Sequence, residues 1–116
     1  MLAHISNTPA ALIARCQEQG ILVEAYSPIA HGMVLANPLV AEVAAHYGAT
    51  PAQLCVRYCL ELGLLPLPKT ANAAHMANNA DVDFAISPED MEVLKAAERI
   101  RDYGDSSFFP VFGGKL

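Results

Sequence analysis

Hydrophobic positions along the chain fall into short periodic blocks separated by proline and glycine. Thr8-Pro9 opens the first block, with threonine placed to cap exposed helical amides and proline fixing φ at the first helical position. Gly20 suits the left-handed residue that closes such a helix. Ile21-Leu22-Val23-Glu24-Ala25-Tyr26 is short and mostly apolar, and predicts a buried strand. Ser27 to Gly32 predicts a loop, broken by Pro28 and Gly32.

Asn37-Pro38 repeats the start signal. The helix it predicts carries Leu39, Val40, Val43, Ala44 and Tyr47 on one face and stops at Gly48. Thr50-Pro51 starts the next, with Gln53 placed to complete a capping box and a stripe of Leu54, Cys55, Tyr58, Cys59 and Leu62 before Gly63. Leu64-Leu65-Pro66-Leu67 is short enough for a barrel strand, with Pro66 tolerable near a strand end. Asn72 to Asn79 predicts one or two helical turns, and Ser87-Pro88-Glu89-Asp90 starts a longer helix with Met91, Leu94 and Ala97 inward. From Ser106 to Leu116 the aromatic Phe108, Phe109 and Phe112 show no periodicity and read as a loop.

Strands alternating with helices indicate an α/β protein built from parallel βα units. Two strands cannot bury both faces of a parallel sheet, so the pattern predicts an incomplete architecture.

Composition sharpens this in one respect. The 116 residues fit one domain, yet 53% are hydrophobic, only 16% are charged, and mean hydropathy is +0.28. Such a balance suits helices buried on several sides, or a surface that expects further chain. A net charge of -5 removes the basic footprint of a nucleic-acid binder. Cys16, Cys55 and Cys59 form an odd set without framework spacing, as expected of reduced, cytoplasmic thiols. Cys55 and Cys59 stand four apart, as two helical metal ligands would, but without a neighbouring His or carboxylate they read as core. No signal-peptide pattern follows Met1, and no apolar run approaches about 18 residues, so neither secretion nor a membrane span is expected.

Three ordered segments resemble the aldo-keto reductase family: Gly20 through Pro28, Thr50 through Tyr58, and Leu67-Pro68-Lys69-Thr70. Asn79, Asp83-Phe84 and Ser87 through Met91 agree as well, so the resemblance runs from about His4 to Ile100. It implies the (β/α)₈ TIM barrel, a fold of roughly 250 residues. Residues 1–116 would then be its C-terminal portion, strands seven and eight with their helices, entered from the exit of strand six at Leu2 to Pro9. The family's catalytic Asp, Tyr, Lys and His come from earlier strands, and none is assignable here. Tyr26 and Lys69 match the cofactor side instead.

The resemblance implies NADP as cofactor, with NAD possible. Tyr26 matches the tyrosine that stacks on the nicotinamide; from position alone it could equally be a core residue. Ser27, Ile29 and His31 match the loop along the pyrophosphate, where a hydroxyl and loop amides donate to anionic oxygens. The family has a small or hydroxylated residue in place of His31, which also reads as a solvated loop histidine. Lys69 follows an apolar strand, where a cation calls for an anion or for solvent. By resemblance the anion is the adenosine 2′-phosphate, with Thr70 and Asn72 donating and the next helix directing its N-terminal amides there.

Two positions depart from the family. His75 stands where an arginine is usual, and Asn78 where a Glu or Gln is usual; Asn78 and Asn79 can still bond the adenine. A histidine lacks arginine's flat bidentate fork, so relaxed choice between NADP and NAD is expected. Glu24, within an apolar strand, reads as a salt bridge to a neighbouring helix such as that of Arg57, or else as a functional acid. The isolated chain is expected to be inactive in carbonyl reduction. The alternative is a non-catalytic half-barrel that self-associates or pairs with another chain, such as the missing N-terminal part, by its strand edges and apolar faces.

Overall fold

Local start signals place most of the helices. The structure, a computed structural model, describes residues 1–99. Its elements are α1 (Ala10–Glu18), β1 (Glu24–Tyr26), a 3₁₀ segment (Ala30–Ala36), α2 (Pro38–His46), α3 (Pro51–Glu61), β2 (Leu65–Leu67), α4 (Ala73–Ala80) and α5 (Pro88–Lys95). Proline occupies the first turn of α2, α3 and α5, each behind a side-chain cap from Asn37, Thr50 or Ser87. The Thr50–Gln53 capping box forms in both directions. Gly63 ends the α3 block at φ +74°, where an added Cβ would lie 2.8 Å from Gln17 Nε2.

β1 and β2 pair in parallel, with Glu24 opposite Leu65 and Tyr26 opposite Leu67. Leu2 adds a parallel bridge to Tyr26 on the other side of β1. Burial alternates along these strands with period two. Val23, Ala25 and Leu64 are buried beneath α1 and α3 with Ile13 and Cys59. Leu22, Glu24, Leu65 and Leu67 are exposed on the other face. A larger core joins α2, α3 and α5 through Val40, Val43, Leu54, Tyr58, Met91 and Leu94. The faces expected for α2, α3 and α5 are the ones that pack.

Four expectations are corrected. The first strand is shorter than Ile21–Tyr26 and is not buried on both faces: Ile21 is 54% exposed and Leu22 71%. Among the described residues nothing covers that face. Thr8 does not cap α1, whose N-cap is Pro9 without a side-chain bond; its hydroxyl instead meets Tyr58 Oη at 2.6 Å. Glu24 does not pair with Arg57, because Glu61 sits one turn along α3 and takes the guanidinium at 2.9 Å. Ser27 to Gly32 is not all loop, since a kinked 3₁₀ segment begins at Ala30. The aromatic residues beyond Tyr103 lie outside the described residues.

Candidate functional site

Because β1 and β2 run in parallel, their carboxyl ends open on one side, and the residues following them meet there. The chain leaving β1 is strained: Ser27, Ala30 and His31 all hold positive φ, at 53°, 48° and 53°. Side chains with a Cβ rarely adopt this region, and such residues cluster where the backbone is shaped for a ligand. Ser27, Ile29, His31 and Lys69 line one cavity of about 330 Å³. Ile29 and Lys69 also border a second, of about 570 Å³, with Thr70, His75, Asn78 and Asn79. The two share walls and form one groove across both strand ends.

Seven of the nine residues expected to face the cofactor therefore line this groove: Ser27, Ile29, Lys69, Thr70, His75, Asn78 and Asn79. Two do not line either cavity. Tyr26 is half-buried at the end of β1, opposite Leu67. Asn72 caps α4, its Oδ1 accepting from the amides of Ala74 at 2.9 Å and His75 at 3.2 Å. Those two amides are thereby satisfied within the chain. Thr70 Oγ1 accepts from the Asn72 amide at 3.1 Å, so its proton can still be donated outward.

The start of α3 belongs to the groove and was legible in sequence only as a helix cap. Thr50, Pro51 and Ala52 line the larger cavity, and Leu35 of the 3₁₀ segment closes its apolar side. Thr50 Oγ1 accepts from Asn78 Nδ2 at 3.2 Å as well as from the Gln53 amide. Asn78 is thereby held with its carboxamide oxygen as the remaining acceptor. No carboxylate lines either cavity among the described residues, while Lys69 and two histidines do. The groove suits an anionic ligand with an apolar, flat portion.

Groups with displaced ionisation lie elsewhere. Burial pushes the Cys55 thiol up to about 12, helped by Cys59, and raises Cys59 to about 12 as well. Both read as core residues and sit in the core as inert thiols. Tyr58 is also raised to about 12 by burial, against the opposing bond from Thr8. Among the described residues no group of three or more His, Cys, Asp or Glu is placed to hold a metal ion. No helix there is long and apolar enough to cross a membrane.

Fold and groove together define a parallel α/β protein with a groove at the carboxyl ends of its strands, lined by Lys69 and two histidines. Residues 3–99 match the Aldo/keto reductase family, and the chain belongs to that family. It is similar to 2,5-diketo-D-gluconic acid reductase B of Corynebacterium sp., 38% identical over 94 residues that make up 79% of this chain and 34% of the reductase. It also superposes on the aldose reductase of Schistosoma japonicum with a TM-score of 0.82 at 28% identity, covering 99% of this chain and 40% of that one. A mutant of Gox0644, crystallised in complex with NADPH, matches with a TM-score of 0.81 at 29% identity, covering 89% of this chain and 38% of that one. The chain thus spans only about a third to two fifths of the length of these relatives.

Proposed function

We propose that this chain is the cofactor-side, C-terminal portion of an NAD(P)H-dependent aldo-keto reductase barrel, supplying strands seven and eight with their helices. The observation that carries this reading is the groove itself. Lys69, Thr70, His75, Asn78 and Asn79 converge on one cavity at the carboxyl end of β2, with no opposing carboxylate among the described residues. The NADPH bound by a structural neighbour supports a nicotinamide cofactor here.

The residues present fit the adenosine end of NADP. Lys69 supplies a charge for the 2′-phosphate, and Thr70 and the Asn72 carboxamide nitrogen supply donors beside it. The Asn78 and Asn79 carboxamides offer acceptors to the adenine amino group. Ser27 and Ile29 flank the path toward β1, where Tyr26 offers an aromatic face for the nicotinamide. When bound, the cofactor supplies the hydride that reduces a carbonyl to an alcohol. The proton donor for that step belongs, in this reading, to earlier strands of the barrel. The 116-residue chain alone is therefore inactive toward carbonyls. Calorimetric titration with NADP should show saturable binding that Lys69→Ala weakens, with no NADPH oxidation on adding an aldehyde. Turnover by the chain alone would overturn the assignment of the missing chemistry. Absence of binding, or binding that Lys69→Ala leaves unchanged, would overturn the site.

One observation favours a second reading, a non-catalytic half-barrel that pairs with another copy or another chain. Parallel strands are normally covered on both faces, yet Leu22, Leu65 and Leu67 are 71%, 41% and 46% exposed on one of them. Light scattering separates the readings: a sharp dimer that Leu65→Lys dissolves supports pairing, and a monomer contradicts it.

A further inference from the structure

A separate cavity, of about 390 Å³, lies between the turn that precedes α1 and the chain leaving α5. Ser6, Asn7 and Thr8 wall it on one side, and Lys95, Ala97 and Arg99 on the other. Among the described residues it shares no wall with the groove. Two backbone bonds between His4 and Asn7, of 2.9 and 3.1 Å, close the turn and leave Ile5 and Ser6 at its tip. Polar turn tips ordinarily lie in solvent, yet Ser6 is only 3% exposed. Among the described residues its hydroxyl has no hydrogen-bond partner. A buried hydroxyl costs free energy until it finds one, and the cavity is the space that Ser6 borders.

The other polar walls decide what kind of partner fits. Thr8 Oγ1 is already taken by Tyr58 and the His4 carbonyl. Asn7 is used at both ends: Nδ2 donates to the Leu2 carbonyl at 3.1 Å, and Oδ1 accepts from Arg99 Nη2 at 2.9 Å. That second bond orients the guanidinium and takes one of its five N–H donors. Lys95 Nζ lies 3.2 Å from the Glu92 carboxylate, whose side chain is 74% exposed, and so open a pair yields readily to a better anion. No carboxylate lines the cavity among the described residues. Two of the seven Lys and Arg residues of a chain with net charge -5 border this one space, so its positive potential is local. Donors with capacity to spare thus face a cavity whose own acceptors are occupied.

We infer that this cavity binds a small dianion of the phosphate or dicarboxylate kind. Arg99 offers a planar set of donors, Lys95 a point charge and Ser6 a hydroxyl. The volume is at the small end of ligand sites, ample for such an ion with part of its water. The inference stands apart from the reading of the groove, because Lys69 takes no part in it.

The probes are inorganic phosphate and malonate, titrated separately at neutral pH and low salt into the full chain labelled with nitrogen-15. The expected result is saturable shifts of the Ser6, Asn7 and Arg99 amide signals with at least one of the two. The tighter of them says whether a phosphate or a dicarboxylate is the better fit. Arg99→Gln should weaken that binding about tenfold and Lys95→Gln about threefold, with Arg99→Lys between wild type and Arg99→Gln. Lys69→Ala should leave it unchanged, which separates this site from the groove. Amide spectra without ligand show whether each variant is folded, and Lys95→Gln decides the matter where Arg99→Gln is not. Shifts that never saturate with either probe would overturn the inference. So would saturable binding that Lys69→Ala abolishes, or that a folded Arg99→Gln or Lys95→Gln chain retains in full.

Discussion

The Tyr58 hydroxyl and Thr8 Oγ1 lie 2.6 Å apart, joining the turn before α1 to the middle of α3 across fifty positions of sequence. Tyr58 is fully buried, and its ring belongs to the core between α2, α3 and α5. Thr8 Oγ1 also reaches the His4 carbonyl at 3.3 Å. Tyr58→Phe keeps the ring and removes only the hydroxyl, so the expected loss is about 1 kcal/mol. In a chain of this size that corresponds to a fall of roughly 4–8 °C in Tm. An unchanged Tm in Tyr58→Phe would show that the contact contributes nothing.

His4 gives the chain a pH dependence on the acid side of neutrality. Burial, and then the positive charge of Arg99, lower its pKa from 6.5 to about 4. The unfolded chain therefore takes up a proton at His4 that the folded chain refuses between those values. Stability should be full above about pH 6.5 and decline as pH falls toward 4, by an amount on the order of 3 kcal/mol at the limit. Urea midpoints across this range should fall more steeply for wild type than for His4→Gln. Parallel profiles would remove His4 as the cause.

What was legible in the sequence was mostly local. Thr50 and Gln53 stand three apart, and the capping box needs nothing beyond that spacing. Gly63 likewise announces its positive φ without help from the rest of the fold. Where a residue had to choose among several partners, the reading failed. Thr8 had the chemistry of a cap, but Tyr58 offered it a better bond. Arg57 had two acidic candidates, and Glu61, one turn away on its own helix, won over Glu24. Lys69, His75, Asn78 and Asn79 were identified through a family resemblance and converge on one cavity. Thr50, Pro51 and Ala52 were not, because their place in the groove depends on how the start of α3 meets α4. Leu22 was read as part of a buried strand because the run around it is apolar, yet burial needs a second layer as well as an apolar side chain.

A clasp between α2 and α5 should weaken in acid. The Tyr47 hydroxyl donates to Asp90 Oδ2 at 2.5 Å and accepts from the Ser87 amide at 2.9 Å. His46 Nδ1 lies 3.5 Å from the same carboxylate. The Tyr47 bond, with smaller help from His46 and Ser87, holds the Asp90 carboxyl below its ordinary value of 3.8. A depressed carboxylate stabilises the fold above its unfolded pKa, and that contribution disappears as pH falls through the folded value. Tyr47→Phe should therefore be less stable than wild type at neutral pH, with a gap that narrows below pH 3.8. Part of the gap will persist because the Ser87 amide has also lost its acceptor. A gap independent of pH would exclude Asp90 as the partner that matters.

The three cysteines should separate cleanly by reactivity, since the thiolate is the reacting species and burial opposes its formation. Cys55 and Cys59 are fully buried, and each thiol is pushed up to about 12. Cys59 Sγ also points at the Ala3 carbonyl, 3.7 Å away. Cys16 is partly exposed on α1. An aromatic disulfide reagent at pH near 8 should modify Cys16 promptly in the native chain and all three thiols after denaturation. Because Cys55 and Cys59 react only through opening, their rates report the stability of the α3 core, and Tyr58→Phe should raise both. Prompt modification in the folded chain would mean that a core is open to solvent, the one joining α2, α3 and α5 for Cys55 and the one between α3 and the β1–β2 pair for Cys59.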